Sequence, residues 1–273
     1  MRNLTLLTDL YQLTMMNGYY KTGTYRNESV FDMFFRQRGQ INYAVAAGLS
    51  EAIEYIRSLR FTEEDLAYLD GLGLFDKDFL TYLKDFRFTG DLYSVREGEI
   101  VFPGEPILTV KAPLAEAQLV ETALLNIVGH QTLIATKAAR IVQAADGKTV
   151  VEFGLRRAQG PDAGIYGSRA SIIGGCKGTS DVLAAQMFGI EPKGTHSHSW
   201  VMSFASELEA FRKFAEVYPD NCLLLVDTYD TLRSGVPNAI RVFNELKEKG
   251  HKPVGIRLDS GDMAYTQMLT RGS

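Results

Sequence analysis

Apolar residues recur along the chain with two different periods. In residues 50–59 they occupy positions 52, 53, 56 and 59, which is the spacing of one helix face. Other short runs are rich in aromatic and β-branched residues, which favour strands. Within the first 112 residues, these patterns predict strands at 29–36, 43–47, 89–95 and 105–110, and helices at 4–20, 50–59, from 62 and 76–86.

The start of one helix has a specific signal. Thr62 is a good N-cap residue, and Asp65 follows three positions later, so the two predict a capping box. Pro113 can likewise open a helix. The segment that follows it is rich in Ala, Leu and Gln and predicts one long helix at 114–145, which ends at the turn pair Asp146-Gly147.

After this long helix, strand and helix patterns alternate. Strands are predicted at 149–153, 191–195, 222–226 and 253–258, and helices at 162–174, 181–188, 203–217, 239–249 and from 262. Such alternation is typical of a parallel sheet covered by helices. Several of these strands end in polar residues, which indicates a barrel or an open sheet with its site at the carboxyl ends.

The composition excludes several classes of protein. The 273 residues are 45% hydrophobic and 23% charged, which excludes disorder and coiled coil as the main state. The net charge of −4 has the wrong sign for a general nucleic-acid binder. Two cysteines cannot make a disulfide framework, and no segment predicts a signal peptide or a membrane span. We expect a cytoplasmic protein with neither nucleic acid nor membrane as a partner.

Two candidate anion-binding segments lie in the second half. Arg156 and Arg157 follow the predicted strand at 149–153 and can bind phosphate or carboxylate through paired hydrogen bonds. Surface ion pairs would explain them equally well. The segment 174–180 places three glycines around Lys177, so its backbone N–H groups could approach an anion. A plain turn between helices is at least as good an explanation.

A pair of histidines is the third candidate. His196 and His198 are separated by one residue, so on a strand both side chains would point into the same site. Histidine titrates near neutrality and can act as an acid, a base or a nucleophile. The pair lacks nearby residues that would complete a zinc site. A hydrogen-bonded histidine in the core is an equally good explanation.

Carboxylates at successive strand ends form the fourth candidate. Asp227 follows the strand at 222–226, and Arg257 and Asp259 follow the next strand. Carboxylates in this position suit Mg²⁺ with a phosphorylated substrate, and an adjacent arginine suits an anion. Asp262 is better explained as a helix N-cap. The residues alone leave a phosphoribosyltransferase, a sugar-phosphate aldolase and a phosphatase open.

Seven segments, in order, give the chain a specific resemblance to the nicotinate phosphoribosyltransferase family. They cover almost the whole chain and read LLTDLYQLTM at 6–15, EGEIVFPGEPIL at 97–108, EAQLVETALLN at 116–126, EFGLRRAQGPD at 152–162, GTHSHSW at 194–200, VDTYDT at 226–231 and RLDSGD at 257–262.

The resemblance implies a fold and an activity. The fold would be α/β, with an N-terminal α/β sandwich domain at 1–112 and part of an irregular, TIM-like α/β barrel of the type II phosphoribosyltransferase kind at 113–273. The helix at 114–145 would connect them. The activity would be transfer of phosphoribose from phosphoribosyl pyrophosphate to nicotinate, coupled to ATP hydrolysis, with Mg²⁺. The family is homodimeric with shared active sites.

The resemblance also implies roles for individual residues in phosphate chemistry. His198 would be phosphorylated by ATP. Asp227 and Asp259 would face the ribose, the pyrophosphate and its Mg²⁺. Arg156 would contact phosphate.

Other residues would bind nicotinate. Thr195 and Arg257 would hold its carboxylate, and Phe153 would stack on one face of the pyridine ring. Tyr11, with Asp9, would reach into the neighbouring subunit's site, where Tyr11 would stack on the opposite face.

Ser180 bears on the choice of substrate. Related enzymes that use nicotinamide carry an aspartate in the corresponding Lys-Gly-Thr-Asp motif, whereas this chain has serine. A carboxylate accepts a hydrogen bond from a neutral amide but repels a carboxylate substrate, so Ser180 favours nicotinate over nicotinamide.

The length of the chain leaves an alternative open. Chains of the family are longer, and their barrel needs further βα units with glycine-rich phosphate loops, so we expect a truncated chain holding about half a barrel. Residues 263–273 depart from the family pattern. The alternatives are an inactive fragment that dimerises or binds ligand, or a related enzyme acting on nicotinamide or quinolinate.

Overall fold

The chain folds into mixed α and β structure. The computed structural model describes residues 3–37 and 41–271. Contacts divide the chain into two compact units, Met1–Lys193 and Gly194–Ser273. The predicted α/β class is confirmed. The domain boundary predicted at residue 112 stays a prediction, since the two units are defined by contacts alone.

The first unit is built from antiparallel strands and helices. Its central sheet has the order β1-β5-β3, and a second pair joins β2 to β4. Its strands are β1 (Glu28–Met33), β2 (Ala44–Val45), β3 (Asp91–Ser94), β4 (Ile100–Val101) and β5 (Leu108–Pro113). Its helices are α1 (Leu10–Thr22), α2 (Leu49–Ser58), α3 (Glu63–Gly71), α4 (Lys77–Lys84), α5 (Leu114–Ala144), α6 (Pro161–Ile173) and α7 (Val182–Phe188).

Helix α5 is the central packing element of this unit. Leu119 and Val120 are fully buried in the same core cluster as Phe79. Polar residues on another part of α5 serve the backbone of the β2 region. The Thr136 hydroxyl accepts a hydrogen bond from the Val45 N–H at 2.9 Å, which satisfies a buried donor that would otherwise cost free energy.

The second unit contains two parallel strands, β6 (Leu223–Leu225) and β7 (Gly255–Arg257). Its helices are α8 (His198–Met202), α9 (Glu207–Val217), α10 (Val236–Glu248) and α11 (Met263–Arg271). Leu224 packs in a core cluster with Phe211 of α9 and Ala239 of α10. The strands are therefore covered by helices, as the alternating pattern predicted.

Two predicted strands are shorter than the sequence pattern indicated. The segment 149–153 contributes one parallel bridge, between Glu152 and Thr179, and the segment 191–195 contributes one, between Thr179 and Pro192. The helix predicted at 4–20 begins only at Leu10, with Asp9 in the N-cap position. In the part of the chain described, no helix is both long and apolar enough to cross a bilayer.

The capping box predicted at Thr62 is confirmed. The Thr62 hydroxyl accepts from the Asp65 N–H at 3.1 Å, and the Asp65 carboxylate accepts from the Thr62 N–H at 2.8 Å. We expect Thr62→Ala to lower the free energy of unfolding by about 1 kcal/mol, because alanine lacks the hydroxyl that accepts from the Asp65 N–H and donates to the Asp65 carboxylate. Urea unfolding measures the change. Thr81→Ala, at an exposed position inside α4, is the matched control, and equal losses in the two variants would contradict the assignment.

Glu51 is a partly buried carboxyl with several charged neighbours. Burial is the main cause that raises its pKa to about 7, and the Asp162 charge adds to the rise, whereas Arg169 and Tyr166 oppose it. Its Oε2 accepts a hydrogen bond from the Gln131 side chain at 2.7 Å. The folded state therefore binds a proton more tightly than the unfolded state, whose carboxyl has an ordinary pKa near 4.5.

This shift makes stability depend on pH. The contribution of Glu51 is fully present below pH 4.5 and is lost as the pH rises through 7. We expect Glu51→Gln to gain stability relative to the native chain between pH 5 and pH 8, by on the order of 1 kcal/mol after allowing for solvent screening. Denaturant unfolding at a series of pH values measures the difference. Glu64→Gln, at an exposed position of α3, should show no such trend, and a flat difference for Glu51→Gln would refute the prediction.

Candidate functional site

The second unit gathers four ionisable side chains at the carboxyl ends of its parallel strands. Asp227 follows β6, and Arg257 and Asp259 lie at the end of β7. His198, the first residue of α8, faces both carboxylates. All four are among the residues that the sequence predicted to lie at strand ends or in the histidine motif.

Asp227 is the buried member of this group. Its side chain is only 2% exposed. Oδ2 accepts hydrogen bonds from the Asp259 N–H, from the Ser260 N–H at 2.7 Å and from the Ser260 hydroxyl at 2.8 Å. Oδ1 is buried and has no hydrogen-bond partner among the described residues. One oxygen of Asp227 therefore fixes the turn after β7, and the other is left for a ligand.

His198 lies between the two carboxylates. Its Nε2 is 3.9 Å from Asp227 Oδ1 and 3.8 Å from Asp259 Oδ2, distances that exceed a hydrogen bond. Its Nδ1 lies 3.2 Å from the hydroxyl oxygen of Thr228, within hydrogen-bond range. The imidazole is thus anchored on one side, and its Nε2 side faces two acidic groups. Its side chain is 38% exposed, which allows a substrate to reach it.

Arg257 and Asp259 form an ion pair. The guanidinium Nη2 donates to Asp259 Oδ2 at 2.9 Å, and both side chains are partly buried. Partial burial strengthens the attraction relative to a fully exposed pair. Arginine in this position can also bind an anionic ligand, because its fork carries several donors.

His196 has a structural role, so the prediction that His196 and His198 share one strand face is wrong. His198 begins a helix, whereas His196 is buried and packs edge-on against Phe214 at 4.7 Å between ring centroids. The His196 Nε2 accepts a hydrogen bond from the Leu225 N–H at 3.2 Å. Burial lowers the pKa of His196, which keeps the ring neutral and able to accept that bond.

Thr195 lines a polar cavity of about 710 Å³ together with serine and aromatic side chains. Its hydroxyl donates to the Leu223 carbonyl of β6. The hydroxyl proton therefore supports the start of the strand, and any ligand that uses it must replace this hydrogen bond.

The acidic side chains around His198 are of the kind that bind a divalent cation. Among the described residues, no three histidine, cysteine or acidic side chains converge to hold a metal ion by themselves. Two carboxylates each place an oxygen within 4 Å of His198 Nε2, and in the described part of the chain the buried Asp227 Oδ1 has no hydrogen-bond partner. Mg²⁺ commonly takes one or two protein carboxylates together with water and substrate phosphates, so the residues present fit that ion.

The remaining predicted residues belong to the first unit and are described within it. Phe153 is 42% exposed and lines a cavity of about 750 Å³. Arg156 is exposed in a 3-10 turn, Leu155–Arg157. Ser180 is partly buried, and its N–H donates to the Glu152 carbonyl at 3.0 Å, directly before Phe153. The structure therefore brings Ser180 beside the Phe153 backbone.

Asp9 and Tyr11 lie at the start of α1. The Asp9 carboxylate accepts from the Thr122 hydroxyl of α5 at 3.0 Å. Tyr11 is 51% exposed, while the next residue, Gln12, is fully buried and donates to Glu121 at 2.9 Å. The buried contacts of Gln12 hold α1 on α5 and leave the Tyr11 ring on the surface.

Three residues of these arrangements were missed at the sequence level. Each lies next to one predicted site residue and hydrogen-bonds another: Thr228 bonds His198, Ser260 bonds Asp227, and the Glu152 carbonyl accepts from Ser180. Their position directly beside predicted site residues was a signal that could have identified them. Their partners, however, lie about thirty residues away in the chain, and one sequence does not show such pairings.

The fold and the site define an α/β protein whose charged groups meet at the carboxyl ends of parallel strands. Family models match two parts of the chain: the nicotinate phosphoribosyltransferase (NAPRTase) N-terminal domain matches residues 6–129, and the NAPRTase family matches residues 149–270. The chain belongs to the nicotinate phosphoribosyltransferase family.

Individual relatives agree with this assignment. Nicotinate phosphoribosyltransferase of Bacillus subtilis is 52% identical over 98% of this chain and 55% of its own length. The crystal structure of human nicotinic acid phosphoribosyltransferase is similar with a TM-score of 0.89 and 34% identity, over 97% of this chain and 63% of that one. The crystal structure of nicotinate-nucleotide pyrophosphorylase from Pyrococcus furiosus is similar with a TM-score of 0.78 and 25% identity, over 99% of this chain and 62% of that one. The chain spans about half the length of the curated relatives it matches.

A close backbone approach holds the segment that carries Asp227. A π-helical turn, Thr231–Gly235, leads into α10, and a Cβ atom on Gly235 would lie 1.8 Å from the Val226 carbonyl oxygen. Gly235 has an ordinary φ of −58°, so the constraint is steric and not conformational. No side chain fits there unless the backbone just before Asp227 moves.

We expect Gly235→Ala to destabilise the chain by about 2 kcal/mol, as overpacking commonly does. The displaced strand end should also weaken the hydrogen bonds from the turn at Ser260 to Asp227. Thermal unfolding measures the first effect and amide exchange at Ser260 the second. Gly194→Ala is the control, because a Cβ atom there meets nothing within 4 Å. A Gly235→Ala chain as stable as this control would contradict the close approach.

Proposed function

We propose that the chain carries the active site of an enzyme that transfers phosphoribose from phosphoribosyl pyrophosphate to nicotinate, giving nicotinate mononucleotide and pyrophosphate. The observation that carries this proposal is the placement of His198 between Asp227 and Asp259, within segments that match the family. Close relatives are named for this activity. The activity, substrates and partners of the whole protein are part of the proposal, because the chain spans about half of those relatives.

The charged groups of the second unit would act on the phosphoribosyl donor. Asp227 Oδ1 and Asp259 Oδ2 would hold Mg²⁺ together with substrate phosphates, and the ion would supply charge that neutralises the departing pyrophosphate. The transfer develops positive charge on the ribose ring as pyrophosphate leaves. The Asp227 carboxylate, fixed beforehand by the Ser260 hydrogen bonds, can stabilise that charge without reorganising.

His198 would couple ATP to this reaction. Its ring is anchored by Thr228 and remains accessible, which suits a side chain that accepts the terminal phosphoryl group of ATP while ADP leaves. The phosphohistidine would add negative charge and acceptor oxygens next to the two carboxylates. That charge would favour tighter binding of the magnesium-bound donor, so the energy of ATP would improve substrate binding and the yield of product.

Each unit, taken by itself, offers residues of the kind that bind nicotinate or phosphate. Arg257 offers a guanidinium to the substrate carboxylate, and Thr195 would join it after exchanging its hydrogen bond to Leu223. The exposed Phe153 ring offers a stacking face, and Arg156 is accessible to phosphate. The Ser180 side chain carries no negative charge that would repel a carboxylate substrate.

A homodimer with shared sites would give Tyr11 and Asp9 their role. Tyr11 is exposed on a helix whose buried face is fixed, so a neighbouring subunit can receive the ring. The parallel pairing of β6 with β7 in the second unit, and the parallel bridges at Thr179 in the first, are strand pairings of the kind found in an α/β barrel and support that proposed fold. Both cysteines are free and buried, which supports the proposed cytoplasmic location.

The test is synthesis of nicotinate mononucleotide by the 273-residue chain from nicotinate, phosphoribosyl pyrophosphate and Mg²⁺, with and without ATP. We expect ATP to stimulate the native chain, and His198→Ala to lose this stimulation while retaining weak, ATP-independent synthesis. His251→Ala is the matched control, since its ring pairs with Asp220 and contacts none of the proposed site residues.

The possible outcomes distinguish the proposed enzyme from a related enzyme and from a non-catalytic fragment. Unchanged stimulation by ATP in His198→Ala would refute the role of that histidine. Product from nicotinamide or quinolinate in place of nicotinate would assign the related activities. No product from any of the three, in a folded chain, would indicate a fragment that binds ligand or dimerises without catalysis.

A further inference from the structure

Glu152 connects three segments of the first unit. Its Oε1 accepts a hydrogen bond from the Gly154 N–H, two residues along. Its Oε2 accepts from the Thr179 hydroxyl at 2.6 Å and from the Ser168 hydroxyl of α6 at 3.1 Å. Thr179 and Ser168 are almost completely buried, and their hydroxyl oxygens lie 3.1 Å from each other. The carboxylate is therefore the common acceptor of a cluster of donors formed by one backbone N–H and two buried hydroxyls.

The cluster depends on an acceptor at this position. An ionised carboxylate offers about four acceptor sites and no proton, so it can serve a backbone N–H and two hydroxyls at once. Removing it would leave the Gly154 N–H without its partner and the buried Thr179 hydroxyl without its shortest one. Leaving the buried Thr179 hydroxyl without a partner costs more than its hydrogen bond contributed.

The same residue controls the path of the backbone around Phe153. The bond to the Gly154 N–H draws the chain back immediately after Phe153, and a Cβ atom on Gly154 would lie 2.8 Å from Glu152 Oε1. The Glu152 carbonyl, directly before Phe153, accepts from the Ser180 N–H at 3.0 Å. Glu152 thus holds Phe153 from both sides and connects it to the segment that carries Ser180.

We propose that Glu152 is a positioning residue that sets the Phe153 ring relative to Ser180. The inference rests on the proposed function, in which Phe153 stacks on the pyridine ring and Ser180 admits a carboxylate substrate. Glu152 itself does not touch the substrate. Its hydrogen bonds hold the Phe153 ring and Ser180 at a fixed position relative to each other. This fixed geometry lets the enzyme distinguish nicotinate from nicotinamide.

The test compares Glu152→Ala with Glu152→Gln. The alanine variant removes every acceptor. The glutamine variant keeps a carbonyl oxygen for the Gly154 N–H, and its amide can donate to a hydroxyl that rotates to accept. Glu191→Gln is the control, since that side chain is exposed and pairs with Lys193. Thr179→Val, which removes one donor of the cluster and keeps the side-chain shape, is the second variant if Glu152→Ala does not fold.

Two measurements are made on each variant. NMR of the isotopically labelled chain gives the amide exchange rates of Gly154 and Ser180. Steady-state assays give kcat and KM for nicotinate, for nicotinamide and for phosphoribosyl pyrophosphate.

We expect Glu152→Ala to speed exchange at Gly154 and Ser180 and to raise KM for nicotinate about tenfold, the loss equivalent to one or two hydrogen bonds. The KM for phosphoribosyl pyrophosphate and kcat should change less than about twofold, and the preference for nicotinate over nicotinamide should fall. Glu152→Gln should restore most of the native values. A merely structural role would lower stability and kcat without changing the preference between the two pyridines.

The outcomes separate this proposal from the proposed function. If the native chain is active and Glu152→Ala keeps the native exchange rates, KM and preference, the positioning role is overturned. If the native chain makes no product, the proposed function fails, and the exchange rates alone decide whether Glu152 holds Gly154 and Ser180 in place. Equal loss in Glu152→Gln and Glu152→Ala would also overturn the role assigned to the acceptor.

Discussion

The buried carboxylate of Asp227 is the constraint on which the site in the second unit depends. A charge at the end of β6 is costly to bury unless its oxygens are paired. Oδ2 meets that requirement with three donors from the turn after β7, so the position of Asp259 follows from the burial of Asp227. Oδ1 is buried, faces His198 and has no hydrogen-bond partner in residues 3–37 and 41–271, which is an arrangement expected of a site that binds a ligand.

The surrounding fold keeps this carboxylate in place by close packing. Gly235 touches the Val226 carbonyl so closely that the residue before Asp227 has no room to shift. At the α10 end of this loop, the buried Glu207 accepts hydrogen bonds from Ser234 and from Asn238 of α10. The loop between β6 and α10 is therefore held at its α10 end by Glu207 and at its β6 end by the contact between Gly235 and Val226. These contacts restrict the movement of Asp227 and Thr228, which lie between them.

The sequence predicted the classes of element well and the site in part. The capping box at Thr62 and the N-cap at Asp262 depend on residues close in sequence, so local chemistry was sufficient to predict them. The error at His196 arose because a spacing of two residues fits a strand only if the backbone stays extended, and here a helix begins at His198. The donors that saturate Asp227 and Glu152 come from distant segments, which no local pattern reveals.

Asp227 and Glu152 show the same physical solution in the two units. Each lies at or just after the end of a strand or bridge, each accepts hydrogen bonds from a backbone N–H and a hydroxyl, and each thereby fixes a neighbouring segment. A carboxylate suits this task because it accepts several hydrogen bonds and offers no competing proton. The two residues differ in how many oxygens are used: Asp227 Oδ1 has no hydrogen-bond partner among the described residues, whereas both oxygens of Glu152 accept hydrogen bonds from the protein itself.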